Sequence, residues 1–133
     1  FLCGVPMNLS AFAAVGIGAA CGAWLRWGLG VWLNPAFDAF PLGTLAANLI
    51  GGTLMGGVLA FIETTPGLSP VLKLLLTTGL LGGLTTFSSF SAEAFHLAQR
   101  GAWGWFAAHL GAHVAGAILC TWLGYAVVSA ARG

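Results

Sequence analysis

The feature that most constrains this chain is a set of four long apolar stretches, each separated from the next by a short polar turn. A helix that crosses a bilayer needs about 20 mainly apolar residues. The four stretches cover residues 10–33, 40–62, 70–97 and 103–130. The turns, at residues 34–35, 64–67 and 99–101, are rich in residues that end helices. The pattern predicts an all-α membrane protein with four transmembrane helices, forming a single domain over residues 1–133.

Charged side chains are too scarce for a soluble protein. They make up 5% of the 133 residues, whereas a soluble domain carries roughly 25%. The first apolar stretch is long and follows no basic segment, so we expect a retained span and not a cleaved signal peptide. Residues 1–6 precede Met7 and are either native or a non-native remnant, and the sequence leaves both readings open.

The cysteines predict neither a disulfide framework nor a metal motif. Cys3, Cys21 and Cys120 are odd in number and widely spaced, and two of them lie inside apolar stretches. We interpret them as small packing residues.

The basic residues give no clear orientation in the membrane. Four spans place both termini on one side, and basic residues normally mark the cytoplasmic side. Lys73 and Arg132 lie on the side of the termini, whereas Arg26 and Arg100 lie on the other side. This balance suits an antiparallel, dual-topology homodimer, although a weak bias toward one orientation explains the count as well.

Glycine spacing indicates close helix packing. Gly18 and Gly22, like Gly52 and Gly56, are pairs of small residues four apart, which let helices approach closely in lipid. Helices packed in this way leave little room for a hydrated hole within one four-helix unit. A pore is therefore expected between subunits.

Polar residues in the second stretch are candidates for function, because polar groups at membrane depth are costly. Thr44 and Asn48 are four residues apart and share one helix face. The Asn48 amide either makes a structural hydrogen bond between helices or donates to a bound or permeating anion.

The third stretch is unsuited to a continuous helix. Gly82 and Gly83 are followed by five hydroxyl residues within the seven positions of residues 85–91. Glycine lowers helix stability, and Ser and Thr side chains compete for backbone hydrogen bonds. We predict a break near residues 82–86, whose freed carbonyls suit a hard cation such as sodium. A glycine kink that serves packing alone is the alternative.

Two phenylalanines follow the predicted break on one helix face. Phe87 and Phe90 are three residues apart. Such a pair usually contacts the core or lipid, but the positive edge of an aromatic ring also suits an anion.

These residues resemble a known family. The segment Gly82-Gly-Leu-Thr-Thr-Phe-Ser-Ser-Phe-Ser-x-Glu93 is similar to the signature of the Fluc (CrcB) fluoride channels. Two further motifs agree, Gly43-Thr-Leu-x-x-Asn48-x-x-Gly51 and Gly18-x-x-x-Gly22-x-x-x-Arg26-Trp27. The resemblance extends from about residue 10 to residue 132.

The resemblance implies a multi-pass protein of a bacterial inner membrane that exports fluoride passively. It also implies an antiparallel dimer with two pores, each using residues of both chains. Backbone carbonyls of Gly82 and Thr85 would hold a structural sodium between the subunits. Fluoride and a second identical subunit are the expected partners, and no enzymatic activity is expected.

The resemblance also assigns roles to side chains. Asn48 matches the pore asparagine that donates to fluoride, and Phe87 and Phe90 match the two rings whose edges line the ion path. Arg26 and Glu93 match charged positions near the pore mouths. We add hydroxyl and imidazole side chains beside these positions to the expected anion pathway: Thr44, Ser88, Ser91 and His113.

The fourth stretch departs from the family pattern. The family tends to carry a track of hydroxyl residues there, whereas this chain has His109, His113, Ala117 and Thr121 one turn apart. The departure leaves open which of these residues line the pore, and whether conduction depends on pH through histidine.

Other function classes fit less well. His109 and His113 have metal-ligand spacing, but a zinc enzyme needs a third ligand, and none of the candidates Glu93, His96 and Cys120 completes a known motif. A serine hydrolase using Ser88 and His109 lacks a nucleophile elbow. A small multidrug exporter would carry a carboxylate in its first span, and residues 10–33 contain none. A purely structural assembly protein does not explain the predicted break in the third span.

Overall fold

The computed structural model describes residues 7–37 and 39–133 of the chain. Residues 1–6 lie outside the described residues, and so do Cys3 and the reading of this segment as a remnant.

Within the described part of the chain, four helical spans are long and apolar enough to cross a membrane, as predicted. The first is α1 (Leu9–Leu33), which continues into a 3-10 turn at Asn34–Ala36, and the second is α2 (Leu42–Glu63). The third is composite. It contains α3 (Pro70–Leu74), a π-helical segment (Leu75–Leu81), α4 (Gly82–Leu84) and α5 (Phe87–Gln99). The fourth is α6 (Trp103–Arg132).

Short polar contacts define where the spans begin and end. The Asn8 side-chain oxygen accepts a hydrogen bond from the Ala11 N–H at 2.9 Å and so caps the start of α1. Asn34 Oδ1 accepts from the Gly43 N–H at 2.8 Å, which ties the 3-10 turn to the first turn of α2. Gly67 and Gly101 follow α2 and α5 with φ values of 83° and 67°, a backbone conformation that favours glycine.

The predicted glycine pairs pack helices of the same chain against one another. A Cβ at Gly56 would lie 1.8 Å from the Thr121 carbonyl oxygen, so α2 and α6 touch through their backbones. A Cβ at Gly52 would lie 2.9 Å from the Ala117 carbonyl oxygen on the same interface. Gly18 and Gly22 place α1 equally close to the backbone of the third span.

The third span is broken, as predicted, and the break lies at Thr85–Thr86. Both residues are extended, with φ/ψ of −81°/154° and −150°/118°. Thr86 then caps α5, because its Oγ1 accepts from the Ser89 N–H at 3.1 Å. Gly82 and Gly83, by contrast, belong to the helical turn of α4. The glycines therefore precede the break, and the threonines form it.

The π-helical segment was not predicted. Its widened turns face α1, where a Cβ at Gly79 would lie 3.1 Å from both the Ala14 carbonyl oxygen and the Gly18 Cα. π-helical turns are rare, and this one occurs where the third span packs against α1. A local sequence pattern therefore does not predict them.

The interior consists of small residues and a few large ones, while most large apolar side chains face outward. Ala47, Leu81 and Leu84 form a buried cluster between the second and third spans. Trp32, at the end of α1, is 76% exposed, and Trp103, at the start of α6, is 64% exposed. An apolar exterior is what a chain surrounded by lipid or by a second subunit requires.

Candidate functional site

The Asn48 side chain bridges the break to the fourth span. Its Oδ1 accepts from the Thr86 N–H at 2.8 Å, and its Nδ2 donates to the Thr86 carbonyl at 3.1 Å. The same Nδ2 lies 3.0 Å from His113 Nδ1. The amide thus replaces the helical hydrogen bonds that Thr86 loses at the break, which satisfies a backbone that cannot stay unpaired in lipid.

These contacts determine the tautomer of His113. The two bonds to Thr86 orient the Asn48 amide so that its nitrogen faces His113. An amide NH₂ only donates, so His113 Nδ1 accepts, and the neutral ring carries its proton on Nε2. The Nε2 atom is buried and has no hydrogen-bond partner among the described residues. The result is a buried N–H donor without an acceptor.

A second polar group joins α2, α5 and α6. Thr44 Oγ1 donates to Glu93 Oε1. His109 Nε2 lies 3.5 Å from Glu93 Oε2 and 3.4 Å from the Phe90 carbonyl oxygen. His109 is fully buried, with 0% of its surface exposed. Of the predicted one-face pair, Asn48 therefore contacts His113 directly, and Thr44 is linked to His109 through Glu93.

Aromatic rings surround this polar chain. Phe90 stacks on His109 with ring centres 5.3 Å apart, and its ring centre lies 4.8 Å from that of His113. Phe87 lies 5.4 Å from Phe90, and it is 79% exposed, whereas Phe90 is 9% exposed. Phe90 thus belongs to the interior of this chain, and Phe87 projects from it.

Two cavities lie on either side of the Glu93–His109–His113 contact. The first has a volume of about 500 Å³, and its lining includes Glu93 and Arg100. The second has a volume of about 440 Å³, and its lining includes Asn48, Phe90 and His113. Glu93 therefore borders the first cavity, His113 borders the second, and the buried His109 contacts both residues.

The hydroxyl side chains near this site already make hydrogen bonds within the chain. Thr121 and Ala117 line the second cavity, although Thr121 Oγ1 donates to the Ala117 carbonyl at 2.9 Å. Ser91 Oγ donates to the Phe87 carbonyl at 2.8 Å. Ser88 Oγ lies 3.1 Å from Thr86 Oγ1. Each hydroxyl already has a partner in the chain, which leaves His113 Nε2–H as the better buried donor.

The break also presents backbone carbonyls. Arg26 Nε donates to the Gly83 carbonyl at 3.2 Å, so Arg26 contacts the third span near its break. Among the described residues, the carbonyls of Gly82 and Thr85 accept no such hydrogen bond from another element. Gly82 is exposed on the surface of the chain.

Two residues of this site were not singled out from the sequence. Thr86 makes two hydrogen bonds with Asn48. The sequence feature that could have indicated it is a threonine in the N-cap position, directly before the helix that begins at Phe87. Phe40 covers His109 with ring centres 5.3 Å apart, and no sequence pattern indicates this contact, because it depends on how α2 and α6 pack.

The fold and this site define an all-helical, multi-pass membrane protein with a cluster of polar side chains among its spanning helices. The model of the family described as CrcB-like protein, Camphor Resistance (CrcB), matches residues 13–125. This chain belongs to the CrcB family. The resemblance seen in the sequence is thereby confirmed.

Its relatives are named as ion channels. The fluoride-specific ion channel FluC of Aromatoleum aromaticum is 67% identical over 126 residues, covering 95% of this chain and 96% of the relative. The protein of that name from Thiobacillus denitrificans is 57% identical over 117 residues, covering 88% and 94%. That of Pseudomonas putida is 52% identical over 118 residues, covering 89% and 93%. The expectation that the chain is not an enzyme agrees with these relatives.

Proposed function

We propose that this protein is a passive, fluoride-selective channel that exports fluoride across a bacterial inner membrane. Relatives that match nearly the whole chain carry the name of fluoride-specific ion channels. The observation that carries the proposal here is the buried His113 Nε2–H beside Phe90 and Asn48, a donor with no partner in the described part of the chain. No enzymatic step is involved.

Fluoride is small and strongly hydrated, so a pore must offer donors that replace its water. In this proposal His113 Nε2–H donates to the anion, and Asn48 holds the imidazole in the tautomer that allows it. Both polar atoms of the Asn48 amide are already engaged by Thr86, and one N–H points to His113. Asn48 therefore acts on the anion through His113 or by exchanging that one hydrogen bond.

The weakness of the binding site is as important as its donors. Conduction requires binding that permits entry and also release. Neutral N–H groups and ring edges attract an anion without a fixed positive charge, and Glu93 keeps a carboxylate next to the path. Among the described residues that line the second cavity there is no Lys or Arg.

The proposed channel is an antiparallel homodimer with two pores. In one chain the second cavity is an open groove, and Phe87, which lines it, is largely exposed. A second copy would cover this groove and complete the walls of the pore. The even distribution of basic residues, Lys73 and Arg132 against Arg26 and Arg100, supports insertion in both orientations.

A structural sodium between the subunits is part of the proposal. The carbonyls of Gly82 and Thr85 fit such an ion, because they lie beside the break and accept no hydrogen bond from another described element. When bound, a hard cation would be coordinated by these oxygens and so would give them a partner within the membrane. Gly82, which is exposed, would bring its carbonyl to the surface that a partner covers.

The test is fluoride efflux from proteoliposomes that contain the purified protein. A fluoride electrode should record rapid efflux that protein-free liposomes lack, and chloride efflux should remain near the protein-free rate. Efflux equal to that of empty liposomes, or equal rates for chloride and fluoride, would contradict the proposal. Thr44, Ser88 and Ser91 stay in the proposed pathway, and their alanine variants rank their contributions in the same assay.

A further inference from the structure

We propose that Glu93, His109 and His113 form a binding site for a divalent transition-metal cation of the Zn²⁺ type. Each of the three residues offers one ligand atom, and these atoms lie within 4.8 Å of one another. Two imidazoles and a carboxylate are ligands that zinc, and related metals such as cobalt, accept. The proposed fluoride donor is His113 alone, which leaves the buried His109 between Glu93 and His113 without a part in the pathway.

The geometry is close to that of a metal site. Zinc ligands lie about 2.0–2.1 Å from the ion, which places two tetrahedral ligands roughly 3.3 Å apart. His109 Nε2 and Glu93 Oε2 are 3.5 Å apart. His109 and His113, one turn apart on α6, have ring centres 4.4 Å from each other. Small side-chain rotations would therefore bring three ligands to one ion.

Unused polar atoms support the site independently of its geometry. Glu93 Oε2, His109 Nδ1 and His113 Nε2 are buried and have no hydrogen-bond partner among the described residues. A buried polar group without a partner costs about 1–3 kcal/mol. His109 and His113 are 0% and 4% exposed, so water does not readily supply the missing partners. A bound cation would give these atoms a partner, once His113 has released or moved its Nε2 proton.

Metal binding would compete with the Asn48 contact. His113 coordinates a metal through a lone pair, whereas its Nδ1 lone pair accepts from Asn48 and its Nε2 carries the proton. Coordination by either nitrogen therefore disrupts the hydrogen bond from Asn48. Glu93 lines the first cavity and His113 lines the second, so an ion bound to both would lie between the cavities and obstruct passage from one to the other. This obstruction rests on the proposed function, whereas the binding site itself does not.

The experiment measures binding first and transport second. Equilibrium dialysis of the purified protein with Zn²⁺ should give one saturable site per subunit, and Co²⁺ should give visible absorption bands of nitrogen and oxygen coordination. The variants His109→Gln, His113→Gln and Glu93→Gln should each weaken binding at least about tenfold, since even the loss of an outer partner costs that much. His96→Gln is the matched control, because His96 is exposed and lies outside the cluster.

The outcomes are distinct. Wild-type protein without saturable Zn²⁺ binding, or equal binding by wild type and all three cluster variants, would overturn the metal site. The Co²⁺ spectrum of the wild type tests the site even where a variant fails to fold. If the site is in the pathway, micromolar Zn²⁺ slows fluoride efflux in wild type and His96→Gln but not in His109→Gln. Zn²⁺ binding in a protein that moves no fluoride would refute the channel proposal and leave the metal site intact.

Discussion

At the scale of single residues, Asn48 makes three hydrogen bonds that no other side chain of its size could make together. Its oxygen accepts from one backbone N–H, while its nitrogen donates to a carbonyl and to an imidazole. Glutamine would displace these atoms, and a carboxylate would lose both donors. The residue therefore joins the architecture of the break to the chemistry of the proposed pathway.

Replacing Asn48→Asp should reduce fluoride efflux at least about 100-fold while the protein remains folded and keeps the oligomeric state of the wild type. The new carboxylate cannot donate to Thr86 or His113, and it repels an anion 4 Å away by roughly 4 kcal/mol at an effective dielectric constant near 20. The measurement is fluoride-electrode efflux together with size-exclusion chromatography.

Asn8→Asp is the matched control for this variant. This substitution also replaces an amide with a carboxylate, but at a residue outside the proposed pathway. The new aspartate would still cap α1 through a side-chain oxygen. Efflux from Asn8→Asp should equal that of wild type. If Asn48→Asp also conducted like wild type, the role of this amide in transport would be refuted.

The sequence identified these side chains better than it identified their contacts. Asn48, Phe90 and His113 were singled out from polarity and from the family resemblance, and the structure brings them into contact. Glu93 was considered as a third ligand for the histidines, along with His96 and Cys120. The structure shows that Glu93 is the one of these three that lies beside the histidines. The sequence does not give this result, because it depends on which face of α5 packs against α6.

At the scale of elements, the third span shows how a break arises from two different residue types. The break was predicted because glycine and hydroxyl residues weaken a helix, and a break within residues 82–86 is confirmed. Both glycines nevertheless stay helical, and at Gly83 the backbone of α1 lies too close to admit a side chain. A Cβ at Gly83 would lie 2.4 Å from the Ala19 carbonyl oxygen. Local propensity alone does not distinguish these two roles.

A pair of alanine variants separates helix packing from the proposed interface. Gly83→Ala should destabilise the single subunit by about 1–3 kcal/mol, the usual cost of overpacking. At Gly82 the nearest atom to a new Cβ lies 3.5 Å away, so Gly82→Ala should leave the fold of one chain intact. Thermal unfolding in detergent, with and without sodium, measures both.

Gly82→Ala tests the surface of the proposed dimer, whereas Gly83→Ala tests packing within one chain. A loss of dimer or of sodium dependence in Gly82→Ala would come from the partner surface, because the chain itself has room for the methyl group. If Gly83→Ala were as stable as wild type, the close approach of α1 to α4 would be wrong. Either result is independent of fluoride transport.

At the scale of the whole molecule, the number of spans followed from the sequence with little ambiguity. Long apolar stretches and turn residues are sufficient for this, since lipid requires each span to complete its own hydrogen bonds. Orientation did not follow, because it depends on few charges, and these are balanced here. The arrangement of two chains depends on surfaces that no single-chain pattern describes.

Both orientations should be found in one membrane. In a cysteine-free background, Ser69→Cys and Gln99→Cys place exposed thiols at opposite ends of the third span. An impermeant maleimide should label each site to about half from either face of the membrane. Labelling of Ser69→Cys almost entirely from one face, with Gln99→Cys labelled from the other, would exclude the antiparallel dimer.

The tryptophans at one end of the chain have a consequence for how it rests in the bilayer. Trp32, Trp103 and Trp105 lie where α1 ends and α6 begins, and all three are exposed. The final turns at the opposite end carry no tryptophan among the described residues, although Tyr125 lies toward that end. Indole rings prefer the headgroup level of a membrane. One subunit is therefore anchored mainly at one leaflet, whereas two subunits in opposite orientations would moor the assembly equally at both.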